Sequence, residues 1–129
     1  MSITREYFAK QLAVPLKAAG FKKVGSTWRR DSRDGVHVVN AQASQWGPDF
    51  FINIGFYIRT LGNEQAPLEN HCHVRERLEH IGKSAEQVAA TANQWFQSFG
   101  SMEQLAQHAR ADTLPLIISA RALELARAA

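Results

Sequence analysis

Two imidazoles flank a thiol at His71-Cys72-His73, and on a strand the two histidines would project to one side, as a zinc chelate requires. No second Cys or His pair stands at ligand spacing, so neither metal nor cofactor is assigned. Cys72 as a nucleophile needs a neighbouring base, and on a strand it points away from both histidines toward the core. Glu64, Glu69, Glu76 and Glu79 show no spacing that sets two carboxylates across one substrate. A glycine-rich phosphate loop and a nucleophile elbow are both lacking. The chemistry that remains is hydrogen bonding: Asn40, Gln42, Ser44, Asn53 and Tyr57, with His73, Arg75 and Arg77, offer amides, hydroxyls and forked cationic donors suited to an anionic or polar group.

Those residues share a face only if the strands bearing them take one phase. Phe50, Ile52, Ile54, Phe56 and Ile58 alternate with Phe51, Asn53, Gly55, Tyr57 and Arg59, so one side of this strand is wholly apolar. It is joined through Gly47-Pro48-Asp49 to a strand from Val36, whose smaller apolar set, Val39, Ala41 and Ala43 with His37, suits a helix-covered core. That phase places Asn40, Gln42 and Ser44 with Asn53 and Tyr57. The segment 71–81 is read as a further strand, against a competing helical stripe of Val74, Leu78 and Ile81. As a strand it turns Cys72, Val74, Glu76 and Leu78 inward, and His71, His73, Arg75 and Arg77 toward the amides. The alternative to a ligand site is that the C-terminal helices or the 60–70 connection cover this face and the amides serve internal carbonyls.

A helix is expected over 4–19, capped by Ser2 or Thr4 and stopped by Gly20, with Pro15 kinking or dividing it after Ala13. GFKKVG begins a strand that continues through Thr27-Trp28-Arg29-Arg30 to a turn at Asp34-Gly35. Residues 60–70 read as a surface connection. Ser84 with Gln87 opens a helix that ends at Gly100, and Ser101 with Gln104 opens a shorter one. Asp112 caps a last helix carrying Leu114, Ile117, Ile118, Ala122 and Leu125. The expectation is one α+β domain: an N-terminal helix, a four-stranded, mainly antiparallel meander over 21–81, and two or three helices over 84–128.

The chain has 129 residues, 45% of them hydrophobic and 21% charged, which suits one folded core and excludes a disordered chain. No apolar run is long enough to span a bilayer, MSITREYFAK is charged where a secretory leader would be apolar, and the single cysteine fits a reducing compartment. These features point to the cytoplasm and to no membrane partner. Residues 1–35 hold eight Lys and Arg against three acids. Lys22, Lys23, Trp28, Arg29 and Arg30 make a basic cluster with an aromatic, which could meet phosphates and stack on a base; solvated protection of a strand edge explains the same residues more simply.

At Gly20–Lys23, Trp28-Arg29, Asn40, Gln42 and Ser44, Asn53 and Gly55, and Cys72 with His73 and Arg77, the chain resembles the bacterial domain of unknown function 4304 family, over roughly residues 4–82. The resemblance implies the helix-then-sheet order and no particular activity. The leading reading is a small non-enzymatic binding module that docks a protein or small polar ligand on its amide face; size and solubility suggest an immunity-type partner of a toxin. One alternative is an enzyme on that face, with His73 as acid or base and Arg75 or Arg77 holding an anion. The other is nucleic-acid binding through the basic cluster.

Overall fold

The computed structural model describes residues 4–129, so Ser2 and Ile3, the other candidates for the start of the first helix, lie outside the described residues. Helix α1 runs Arg5–Ala18, and the Thr4 hydroxyl accepts a hydrogen bond from the Tyr7 N–H at 3.1 Å. Pro15 does not divide the helix, which continues through it as one element. Pro15 lacks only its own N–H, so one internal hydrogen bond is forgone, and less than a full turn of helix follows it. Gly20, at φ 95°, turns the chain back so that the Phe21 N–H reaches the Leu16 carbonyl at 3.0 Å.

Six antiparallel strands follow in sheet order β1 to β6, two more than expected. They are β1 (Lys22–Val24), β2 (Thr27–Asp31), β3 (Gly35–Ala43), β4 (Phe50–Ile58), β5 (Val74–Leu78) and β6 (Ile117–Ile118). The single strand expected across Lys22–Arg30 is instead a hairpin: Gly25 takes φ 63°, and Val24 pairs with Thr27. Asp112 opens no helix, contrary to expectation; at φ 58° it is the C-cap of the one before it. Ile117 and Ile118 pair with Arg75 and Val74, closing a ladder that β5 would otherwise leave open. The C-terminal helices are α2 (Ala85–Phe99), α3 (Met102–Ala111) and α4 (Ala120–Ala128). Ser84 and Gln87 form both halves of a capping box on α2, and the Ser119 side chain caps α4.

The helices pack on one face of the sheet. There Val39, Ala41, Ile52, Ile54, Phe56, Ile58, Val74 and Leu78 bury against Phe8, Leu12 and Leu16 of α1, Val88, Ala92, Trp95 and Phe96 of α2, and residues of α3 and α4. Across the sheet, Val36, Val38, Tyr57 and Cys72 form a separate small cluster. Cys72 was expected on the side of Val74 but sits on the other, because it precedes the ladder and is delivered by a 3-10 turn at Glu69–His71. Gly55 makes room for it: a Cβ there would stand 2.6 Å from the Cys72 Cβ.

Candidate functional site

The register sets Asn40 directly opposite Asn53, Asn53 opposite Arg77, Gly55 opposite Arg75 and Thr27 opposite Asn40, all on the face away from the helices. The connection 59–73 straps the lower part of this face. It is fastened by the Arg29 side chain, which donates to the Pro67 carbonyl at 2.8 Å, and by the Tyr57 hydroxyl, which accepts from the Glu64 N–H at 3.2 Å. Above the strap a cleft of about 380 Å³ stays open, lined by Thr27, Asn40, Gln42, Arg75 and Arg77 from the strands and by Leu68, Glu69 and Asn70 from the strap.

Each polar side chain in the cleft is oriented by the next. Arginine has only donors, so the Arg77 Nε bond of 3.0 Å fixes Asn53 with its oxygen toward Arg77. The Asn53 amide nitrogen then donates to Gln42 Oε1 at 2.8 Å, and the Gln42 NH₂ group is left facing outward. Asn53 is 4% exposed, so this is a buried relay between two exposed residues. Arg77 also lies over the Phe51 ring, 4.0 Å from its centroid. Asn40 donates to Thr27 Oγ1 at 2.9 Å and to the Ser26 carbonyl at 3.2 Å. Arg75 holds buried Glu69 through two parallel bonds of 3.0 Å, and the Glu69 hydrogen bond raises the Arg75 pKa further. Two guanidiniums against one carboxylate leave the cleft cationic. Among the described residues, the terminal nitrogens of Arg77 and the Gln42 amide nitrogen have no protein partner.

Of the residues read from sequence as one site, Asn40, Gln42, Asn53, Arg75 and Arg77 come together, and Ser44, Tyr57 and His73 do not. The Ser44 hydroxyl accepts from the Trp46 N–H inside the β3–β4 turn. Tyr57 is buried beneath the strap. His73 Nδ1 accepts the Ile58 N–H at 2.9 Å, so the lone pair a general base would use serves the backbone. Burial and then Arg121 lower its pKa, with Glu64 opposing. Burial, then Glu69, pushes the Cys72 thiol up, away from the thiolate a nucleophile needs. Among the described residues no three His, Cys, Asp or Glu gather to hold a metal, and no helix is long and apolar enough to cross a membrane.

The basic cluster is dispersed in a similar way. Trp28 is 1% exposed and offers no ring for stacking. Arg30 Nη1 donates to the Ala19 carbonyl at 2.9 Å, and the guanidinium lies over Phe21 and contacts His37 Nδ1 at 3.0 Å. Because Arg30 donates to Nδ1, the His37 proton belongs on Nε2, 2.8 Å from the Gly100 carbonyl. Burial above all holds the His37 pKa down at about 4. Arg29 and Arg30 are therefore structural ties.

Sequence reasoning missed the cleft walls. Thr27 joins Asn40 through the register of the β2–β3 pairing, which the expected turn at Asp34-Gly35 allows but does not by itself fix. Glu69 was one of four unremarkable acids, and its partnership with Arg75 depends on how the strap folds back.

A family model described as a domain of unknown function (DUF4304) matches residues 12–117. No curated protein and no solved structure matches the chain.

Proposed function

This chain belongs to the domain of unknown function 4304 family, and from that premise we propose that it is a non-enzymatic binding module, of a bacterial cytoplasm, whose cleft takes a carboxylate or similar polar anionic group. The observation that carries the reading is the Arg77–Asn53–Gln42 relay, which turns two exposed donors outward beside a second guanidinium. A fixed fork and an amide donor on a rigid sheet suit a planar anion, since little side-chain freedom remains to be lost on binding. The source of that anion is an acidic side chain of a protein partner or a small polar ligand. An immunity-type role, masking a toxin by gripping an acidic group on it, is one form of the first.

Enzymatic use of the cleft gains no support from the residues that would perform it. The His73 lone pair is bonded to backbone, the Cys72 thiol is buried under the strap, and the Glu69 carboxylate is held by Arg75.

The test is a titration of isotopically labelled protein with glutamate and with a short glutamate-rich peptide, followed by NMR. The expected outcome is saturable movement of the Asn40 and Gln42 side-chain amides and of the Arg77 Nε–H. Arg77→Gln weakens binding by about tenfold or more, the scale of one charge-assisted hydrogen bond. Absence of these shifts, or binding indifferent to Arg77→Gln, overturns the reading.

A further inference from the structure

The charge of the N-terminal third is only partly used within the fold. Its three acids are engaged: Glu6 with Arg5, Asp31 with Arg59, and Asp34 with the Met102 N–H. Arg29 and Arg30 bond to backbone carbonyls. Lys17, Lys22 and Lys23 have no ion-pair partner among the described residues. These three lysines rim a groove of about 490 Å³ between α1 and β1, walled by Ala13 and Gly20 and floored by the buried Phe21 and Trp28. Lys23 Nζ stands 5.5 Å from the Trp28 ring centroid, and the buried Trp28 indole N–H has no hydrogen-bond partner.

β1 is also an edge of the sheet, all three of its residues are exposed, and it is bonded on one side only, to β2. Val24 and Thr27 close a two-residue turn, so their backbone groups face each other, and those of Lys23 face outward. Edge protection would be met by lysines alone. It gives no account of an apolar groove directly beside them.

We infer that this groove and the β1 edge dock an extended acidic segment of a protein partner. The segment pairs its backbone with Lys23, sets alternate apolar side chains against half-buried Ala13 and the alkyl stem of exposed Lys17, and brings its carboxylates to Lys17, Lys22 and Lys23. Backbone pairing supplies affinity, and the alternating side chains supply selection. Charge favours an acidic segment, and the burial of Trp28 disfavours a nucleic acid, which would need an open ring on which to stack. This surface is independent of the Arg77 cleft.

The probe is a short acetylated peptide alternating glutamate with valine, titrated into the whole labelled chain beside a valine-lysine counterpart and an oligo-dT. The expected result is movement of the Lys22, Lys23 and Val24 amides and of the Trp28 indole N–H with the glutamate peptide only. Binding is weakened at least about fivefold by Lys17→Glu and reduced by added salt. Lys23→Pro removes an outward N–H that β2 does not use, and abolishes the amide shifts while the rest of the spectrum persists. Oligo-dT binding at these residues, equal binding of the lysine peptide, or no shift at millimolar peptide overturns the inference. Shifts confined to Asn40, Gln42 and Arg77 also overturn it and report on the cleft instead.

Discussion

On the helix side of the sheet, apolar side chains from four helices and five strands interlock in one continuous cluster, and Leu16, Ile52, Ile54, Phe56 and Ile58 are fully buried. On the strap side, the buried apolar cluster shrinks to Val36, Val38, Tyr57 and Cys72, and beside it amides and guanidiniums bond to one another, to Thr27 and to Glu69. The same strands thus carry a continuous apolar core on one surface and a mostly polar network on the other. Because successive side chains alternate, a residue can change on the strap side without disturbing its neighbour in the core.

The sharpest way to break this contrast is to cut into both faces. Ile54→Ala should cost roughly 2–5 kcal/mol, and Val38→Ala in the small cluster roughly 1–3 kcal/mol, by urea unfolding. Equal costs would mean that the two clusters are equivalent supports.

Next in size is acid. His37 sits on the helix side with its pKa lowered from 6.5 to about 4. Between those values the unfolded chain binds a proton that the folded chain refuses. Stability is therefore full above pH 6.5, falls as the pH drops toward 4, and levels off below. The total loss is roughly 3 kcal/mol. Urea midpoints at pH 7, 5 and 4 should show the decline, and His37→Gln should flatten it.

Gly55→Ala probes the seam between strap and sheet, since the new methyl would lie 2.8 Å from the Cys72 sulfur. A cost of roughly 1–3 kcal/mol is expected, together with faster reaction of Cys72 with thiol reagents as the strap lifts. Adding Cys72→Ala should recover part of the loss, and strict additivity would show that the two sites do not touch. The smallest change expected is in the stability of Arg77→Gln, under about 1 kcal/mol, although the proposed binding would lose about tenfold.

The period-two run from Phe50 to Ile58 and the Ser84-Gln87 box were legible because each is a local pattern, with its partners within a few residues or along one strand. Lys22–Arg30 misled because Gly25 and Ser26 turn the chain inside a short polar stretch with little alternation on either side. Ile117 and Ile118 also fit a helical stripe; they become a strand because β5 presents an open edge, a tertiary cause with no local signature. The cleft was half legible for the same reason. Strand phase brings Asn40, Gln42, Asn53 and Arg77 together, whereas Leu68, Glu69 and Asn70 arrive through a loop path that residue spacing does not encode.

Each strand up to β5 lies beside its predecessor in the chain, so the meander can zip outward from the β3–β4 hairpin with short closures at most steps. Only Ile117–Ile118 must return across the whole length of α2 and α3 to find its place. That two-residue pairing, with the Ser119 N–H on the His73 carbonyl, is therefore expected to open more readily than the β3–β4 ladder, which faster amide hydrogen exchange at Ile118 and Ser119 than at Val39 and Ile54 would show.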